Sequence, residues 1–285
     1  MDRIVKFLRY RFFLFAGIFP YLIGQFIAYK DLGYSNIKYF LLGLFSLFFV
    51  LISVEIFNEY FDGKEGGDRI FDLEKREIPD YIYFFGLYLL LFPFFFTLYF
   101  TFTVRPLLFI FSILGFIFLY FYVGPPIKFA YKGVGELVIG ISYGPLMIFG
   151  SYYLQTGRFS KNLIYPSIIV FLLLLYIAIL NEIPDYYQDY LVGKKNIVVR
   201  IGKRRAITFL NFLIIMLFLS TLLFKLKNHF LSLLALLILI FNFLNLKKTV
   251  DNIENPKIFL PLINTGIITY LFFSILILFS YGDKR

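Results

Sequence analysis

Nine apolar runs follow one another along the chain, near 11–29, 38–57, 80–103, 106–124, 134–155, 162–181, 206–224, 229–246 and 258–281. Each is close to the roughly 20 residues that carry a helix across about 30 Å of hydrocarbon. A bilayer offers backbone polar groups no partners, so helices that satisfy them internally are the expected solution. The expected fold is all-α: a polytopic membrane protein built as a bundle of nine transmembrane helices. Composition agrees, since 60% of the residues are hydrophobic and only 16% charged, too apolar a mixture to hide inside a water-soluble core of ordinary surface-to-volume ratio.

The first run follows Arg3, Lys6, Arg9 and Arg11. No small-residue cleavage site comes after it, so it reads as a retained helix rather than a signal peptide. No Gly, Ser or Pro-rich linker divides residues 1–285, and a single integral-membrane domain is expected. With a cytoplasmic N-terminus, 19 of the 28 Lys and Arg fall on the cytoplasmic side, which sets the orientation by the positive-inside rule. The net charge of +10 then reflects topology and attraction to anionic lipid and anionic substrate. No nucleic-acid-binding motif accompanies it. The chain has no cysteine and a single histidine, His229, which excludes disulfides and thiolate chemistry and argues against a histidine-based triad or metal cluster.

Acidic residues ask for a separate cause, because Asp and Glu contribute little to orientation. Of 18, all but Asp31 and Asp283 fall on the cytoplasmic side, nine of them between Glu55 and Asp80. Two runs stand out where an apolar helix meets water: Asn58-Glu59-Tyr60-Phe61-Asp62, followed by Gly63 to Asp68, and Asn181-Glu182-Ile183-Pro184-Asp185, followed by Tyr186 to Asp189. Asn181, Asp185 and Asp189 are four residues apart and would form one stripe on a helix, as would Asn58 and Asp62. Asp68 lies beyond Gly63, Gly66 and Gly67, which favour a turn back over the site. Oxygen-only clusters of this kind suit a hard cation such as Mg²⁺, which takes one or two carboxylates and completes its shell with water and phosphate. The expected metal ligands are Asn58, Asp62, Asp68, Asn181, Asp185 and Asp189, holding a diphosphate between the two clusters. Lys64, Arg69, Lys128, Lys132, Lys194 and Arg200 would neutralise its remaining charge. Glu59, Glu65, Asp72, Glu74 and Glu77 read as solvated surface. Four spans separate the clusters, which suggests two similar four-helix halves plus a ninth helix, with both clusters on one face.

These residues resemble the UbiA superfamily of intramembrane prenyltransferases, in particular the branch that includes 1,4-dihydroxy-2-naphthoate polyprenyltransferase. The resemblance is carried by the two Asp motifs and the continuation from Asp189 through Gly193, Lys194, Lys195 and Asn196 to Val199-Arg200-Ile201-Gly202. Gly124-Pro125-Pro126-Ile127-Lys128, Tyr131-Lys132, Gly135-Glu136, Gly144-Pro145 and Tyr152 to Gly157 add to it. Arg11, Pro20 and Gly24 resemble the family's opening pattern. The resemblance implies Mg²⁺-dependent transfer of a polyprenyl group from its diphosphate to a lipophilic aromatic acceptor, as in menaquinone-type quinone biosynthesis. Arg11 would then join the substrate-binding residues, and Glu136 or Tyr131 would orient or deprotonate the acceptor. Two alternatives remain open: a glycerol-phosphate lipid acceptor within the same superfamily, and a cation-coupled transporter. Prenyl length and oligomeric state are not legible.

Overall fold

The computed structural model describes residues 16–65, 78–223, 229–255 and 258–282. Among them every regular element is helical: α1 (Ile18–Leu32), α2 (Ile37–Glu65), α3 (Asp80–Leu89), α4 (Leu91–Thr103), α5 (Leu108–Val123), α6 (Gly135–Ile141), α7 (Met147–Thr156), α8 (Ile164–Glu182), α9 (Tyr186–Leu191), α10 (Ile197–Ile201), α11 (Lys203–Leu223), α12 (His229–Thr249) and α13 (Phe259–Gly282). Short 3₁₀ turns join some of them.

Seven helices are long and apolar enough to cross a membrane, over 37–64, 80–103, 135–156, 161–182, 203–222, 232–252 and 259–280. Seven of the nine expected spans thus reach that length among the described residues. The two remaining apolar runs form α1, of 15 residues, and α5, of 16 residues, both short of a full hydrocarbon width. Prolines trim α5, because Pro106 precedes its start and Pro125 and Pro126 follow its end. Part of the first run falls within residues 1–15, outside the described residues. With seven spans of this kind the chain is an integral membrane protein.

The core sits around α8. From Leu173 to Leu180 every residue of this helix is buried, the pattern of a helix apolar on all sides and wrapped by others. It packs against α6, α11 and α13. Between the halves of the α6–α7 span, Ser142–Leu146 forms a π-helical turn containing Pro145. Inserted turns of this kind commonly occur at functional sites.

α1 lies very close to α7. A Cβ on Gly24 would fall 2.0 Å from Ser151 Oγ and 2.4 Å from the Ile148 carbonyl oxygen, so only glycine permits this approach. Gln25 Nε2 donates to the Ser151 carbonyl at 2.8 Å, and Gln155 Nε2 donates to Gln25 Oε1 at 2.7 Å. Arg105 Nη2 donates to the Gln155 carbonyl at 2.6 Å and ties the start of α5 to the same end of the bundle. By contrast α3, α4 and α5 expose Phe84, Phe95, Phe102 and Ile110, as lipid-facing helices do.

Candidate active site

Glu55, Asn58 and Asp62 follow one another at three- and four-residue spacing on α2 and all face one cavity. Asn181, Glu182, Asp185 and Asp189 line the same cavity from the other side. The second motif is not one continuous helix: α8 ends at Glu182, Pro184 interrupts the chain and α9 begins at Tyr186. A proline lacks the donor and the space to continue the ladder, so the expected single stripe becomes two short segments that still converge. Asp68 and Arg11 lie outside the described residues, as does Arg69.

The chain after α9 builds the cationic part of the wall. Gly193, at φ +75, reverses the backbone, and the Lys194 amide donates to the Asp189 carbonyl at 2.9 Å, a turn that favours glycine for its left-handed φ. Lys194 Nζ then lies 3.7 Å from Asp189 Oδ1. Asn196, fully buried, serves two elements at once. Its Oδ1 accepts from the Val199 amide at 2.8 Å and caps α10, while its Nδ2 donates to Asp189 Oδ2 at 2.6 Å. Burial pushes the Asp189 carboxyl up to about 6; Lys194 opposes the shift, and Asp185 and Asp62 add to it. Burial alone would depress Lys194, yet Asp189, Asp62 and Glu182 together hold it above the ordinary lysine value. These couplings across the cavity bring Asp62, Asp189 and Lys194 into one electrostatic unit.

The other expected site residues divide. Tyr131 lines the cavity, and its hydroxyl donates to Asp62 Oδ1 at 3.0 Å. Lys128, the one described non-glycine residue at positive φ, holds its ammonium 5.6 Å from the centre of the Tyr131 ring. Arg200 Nε donates to the Lys195 carbonyl at 2.9 Å beside Gly133. It and the exposed Lys132 stand away from the cavity wall. Lys64 also faces away, bonded to Asp80 at 2.7 Å and to the Tyr60 hydroxyl. Glu136 is fully buried behind the wall, where Oε1 accepts from the Ile197 amide at 2.6 Å and the other side of the carboxyl approaches Glu182.

Spacing alone passed over Glu55, Glu182, Gln188 and Tyr122, all of which line the cavity; Glu59, expected on solvated surface, is exposed and also lines it. Extending the Asn58–Asp62 stripe back by one turn would have found Glu55. Below this polar end the cavity, of about 1380 Å³, continues between α2, α3, α4, α5 and α7 along Leu87, Pro93, Phe109, Leu119, Met147 and Leu154.

A hard cation fits the polar end. Asn58 Oδ1 is buried with no hydrogen-bond partner, a costly arrangement for an oxygen that faces no ligand, and the surrounding donors are all oxygens. Among the described residues no three Asp, Glu or His side chains converge on a single ion.

The pattern of the UbiA prenyltransferase family matches residues 17–281. The 1,4-dihydroxy-2-naphthoate octaprenyltransferase of Bacillus subtilis is 27% identical over 209 residues, which cover 69% of this chain and 65% of that protein. The 2-carboxy-1,4-naphthoquinone phytyltransferase of Synechocystis sp. is 36% identical over 102 residues, 36% of this chain and 33% of that protein. The alignments thus span between a third and just under two thirds of these relatives. A solved structure concerning digeranylgeranylglyceryl phosphate synthase covers 99% of both chains with TM-score 0.68 and 17% identity. A UbiA homologue from Archaeoglobus fulgidus bound to GPP and Mg²⁺ covers 94% of this chain and 99% of that one, with TM-score 0.62 and 18% identity. The likeness to both structures is one of fold. Matched over nearly its whole length, the chain belongs to the UbiA prenyltransferase family.

Proposed function

We propose that the protein transfers a polyprenyl group from its diphosphate to an aromatic acceptor, and that this acceptor is 1,4-dihydroxy-2-naphthoate. The observation that carries this reading is one cavity whose oxygen-rich end, formed by both Asp motifs, opens directly into a long apolar groove. Asn58, Asp62, Asn181, Asp185 and Asp189 would hold Mg²⁺, with Asp68 as an expected sixth ligand. When bound, Mg²⁺ supplies charge neutralisation for the diphosphate leaving group. Lys194 adds a fixed positive charge at the same place. Tyr131 and Asn196 keep Asp62 and Asp189 aimed inward through their hydrogen bonds. The apolar walls take the prenyl tail and keep out water that would otherwise capture the developing allylic cation. Tyr122, Tyr143 and Phe116 line the cavity, and aromatic rings there would stabilise that cation through their π-systems.

The naphthoate assignment draws support from the named activities of the two curated relatives. Among the described residues the wall carries Glu55, Glu59, Asp62, Glu182, Asp185 and Asp189 against Lys194, so an anionic group held there needs Mg²⁺ beside it. We also place the polar end on the cytoplasmic face, following the Lys and Arg distribution.

The test is an assay of the purified chain in detergent with geranylgeranyl diphosphate, Mg²⁺ and a panel of acceptors. Prenylated naphthoate product, lost with EDTA and lost in Asp62→Ala and Asp185→Ala, is expected. Product from glycerol phosphate alone would overturn the acceptor, and full activity in both variants would overturn the site. Substrate-dependent ion flux into liposomes without product would favour a transporter.

A further inference from the structure

The polar stripe on α2 does not begin at Asn58. Glu55 lies one turn earlier and lines the cavity with Asn58 and Asp62. At the helical rise it sits about 4–5 Å deeper than Asn58 and about 10 Å deeper than Asp62. A carboxyl group inside a membrane-crossing helix is costly and is retained where a polar partner or ligand meets it. Its neighbour is Tyr143, whose phenol lies within electrostatic reach of Glu55 and also faces the cavity. Tyr143 owes its position to the π-helical turn Ser142–Leu146, which turns Ser142, Tyr143 and Leu146 toward the cavity. Ser142 commits its hydroxyl to the Val138 carbonyl at 2.6 Å, so it serves the helix, while Glu55 and Tyr143 serve the cavity.

The depth of this pair has chemical meaning. A diphosphate held at Asp62, Asp185 and Asp189 places the first prenyl carbon just below them. The acceptor ring has to lie beside that carbon, at the border between the oxygen-rich end and the apolar groove. Glu55 stands at that border.

We infer that Glu55 and Tyr143 form an acceptor subsite that binds the hydroxyl group of an aromatic ring. Glu55 accepts a hydrogen bond from the ring hydroxyl, and Tyr143, within electrostatic reach of Glu55, walls the same ring. Accepting that hydrogen bond raises electron density at the neighbouring ring carbon, which bonds to the prenyl carbon as the allylic C–O bond to diphosphate breaks; the ring carbon then gives up its proton to the departing diphosphate. The subsite thereby favours a ring that carries a free hydroxyl group over one whose oxygen is alkylated. This inference rests on the proposed prenyl transfer and names the acceptor chemistry of the same cavity.

The test uses the full chain in detergent with geranylgeranyl diphosphate, Mg²⁺ and 1,4-dihydroxy-2-naphthoate, or its methyl ether in place of the free hydroxyls. Glu55→Met is expected to raise the acceptor KM about 10- to 100-fold, the range of a hydrogen bond to a charged group. The KM for the diphosphate and the Mg²⁺ requirement should stay within about twofold. Glu55→Gln, which keeps an accepting oxygen, should recover part of the loss. Wild type should prefer the free hydroxyl over the ether, and Glu55→Met should lose that preference. Tyr143→Phe should shift the same acceptor parameter more weakly, and it carries the test if the Glu55 variants fail to fold. An unchanged acceptor KM in these variants overturns the subsite. A changed Mg²⁺ requirement, or a faster or slower hydrolysis of diphosphate without acceptor, overturns it too, by assigning Glu55 to the metal or the cation. Wild type that prenylates no aromatic acceptor defeats the parent function instead.

Discussion

Asn196 shows how one residue can serve both folding and chemistry. Its carbonyl oxygen caps α10 and its amide group holds Asp189, so the two duties are separable by substitution. Asn196→Ala removes both. The expected result is a loss of about 1 kcal/mol from the cap, together with a Mg²⁺ requirement raised about 10- to 100-fold, the usual cost of removing a partner of a metal ligand. Asn196→Asp keeps an oxygen for the Val199 amide but faces Asp189 with a second carboxylate. It should retain most of the thermal stability of wild type and still lose metal affinity. A melting series and a Mg²⁺ titration of activity on both variants check this. Equal metal affinity in Asn196→Asp and wild type would show that Asp189 needs no donor from this side.

At the scale of elements, glycines decide how closely helices approach and how wide the groove is. Gly24 admits α1 onto α7, and Gly24→Ala would drive a methyl into Ser151 and the Ile148 backbone. The expected cost is about 1–3 kcal/mol, read as a lower melting temperature in detergent. Gly115 is the opposite case: it lines the cavity on α5, and a Cβ there meets no atom within 4 Å. Gly115→Phe should leave the fold intact and narrow the groove. Its KM for geranylgeranyl diphosphate should rise more than its KM for dimethylallyl diphosphate, and a uniform change in both would place the prenyl chain elsewhere. Element boundaries explain where sequence reasoning worked. The spacing of Asn58 and Asp62 on an uninterrupted apolar helix points to one face, and α2 presents them so. The spacing of Asn181, Asp185 and Asp189 suggests the same, but Pro184 stands inside it and splits the stripe between α8 and α9. The convergence of the two motifs depends on how α8 packs, which no local pattern encodes. Arg200 and Lys64 are likewise basic residues near the motifs in sequence, yet backbone and surface partners direct them away. Lys194 is turned inward by Gly193.

For the whole molecule, the decisive property is that the chain's two ends of the bundle differ. One end gathers both Asp motifs, Lys194 and the connecting segments around Lys128 and Arg200. The other is closed by the hydrogen bonds of Gln25, Asn36, Arg105 and Gln155. A diphosphate is hydrophilic and is presented from water, so the open polar end has to face the compartment that supplies it, while the tail enters the groove among lipid-facing helices. We propose, from the Lys and Arg distribution, that this end faces the cytoplasm. The absence of native cysteine makes this orientation directly measurable, because a single engineered thiol reports its own side. Lys195 is exposed at the polar end and Arg158 at the other. In sealed, right-side-out cells a membrane-impermeant maleimide should label Arg158→Cys and spare Lys195→Cys, and in inverted vesicles the pattern should reverse. Labelling of Lys195→Cys from outside intact cells would turn the molecule over. The diphosphate would then have to be supplied from the outer face.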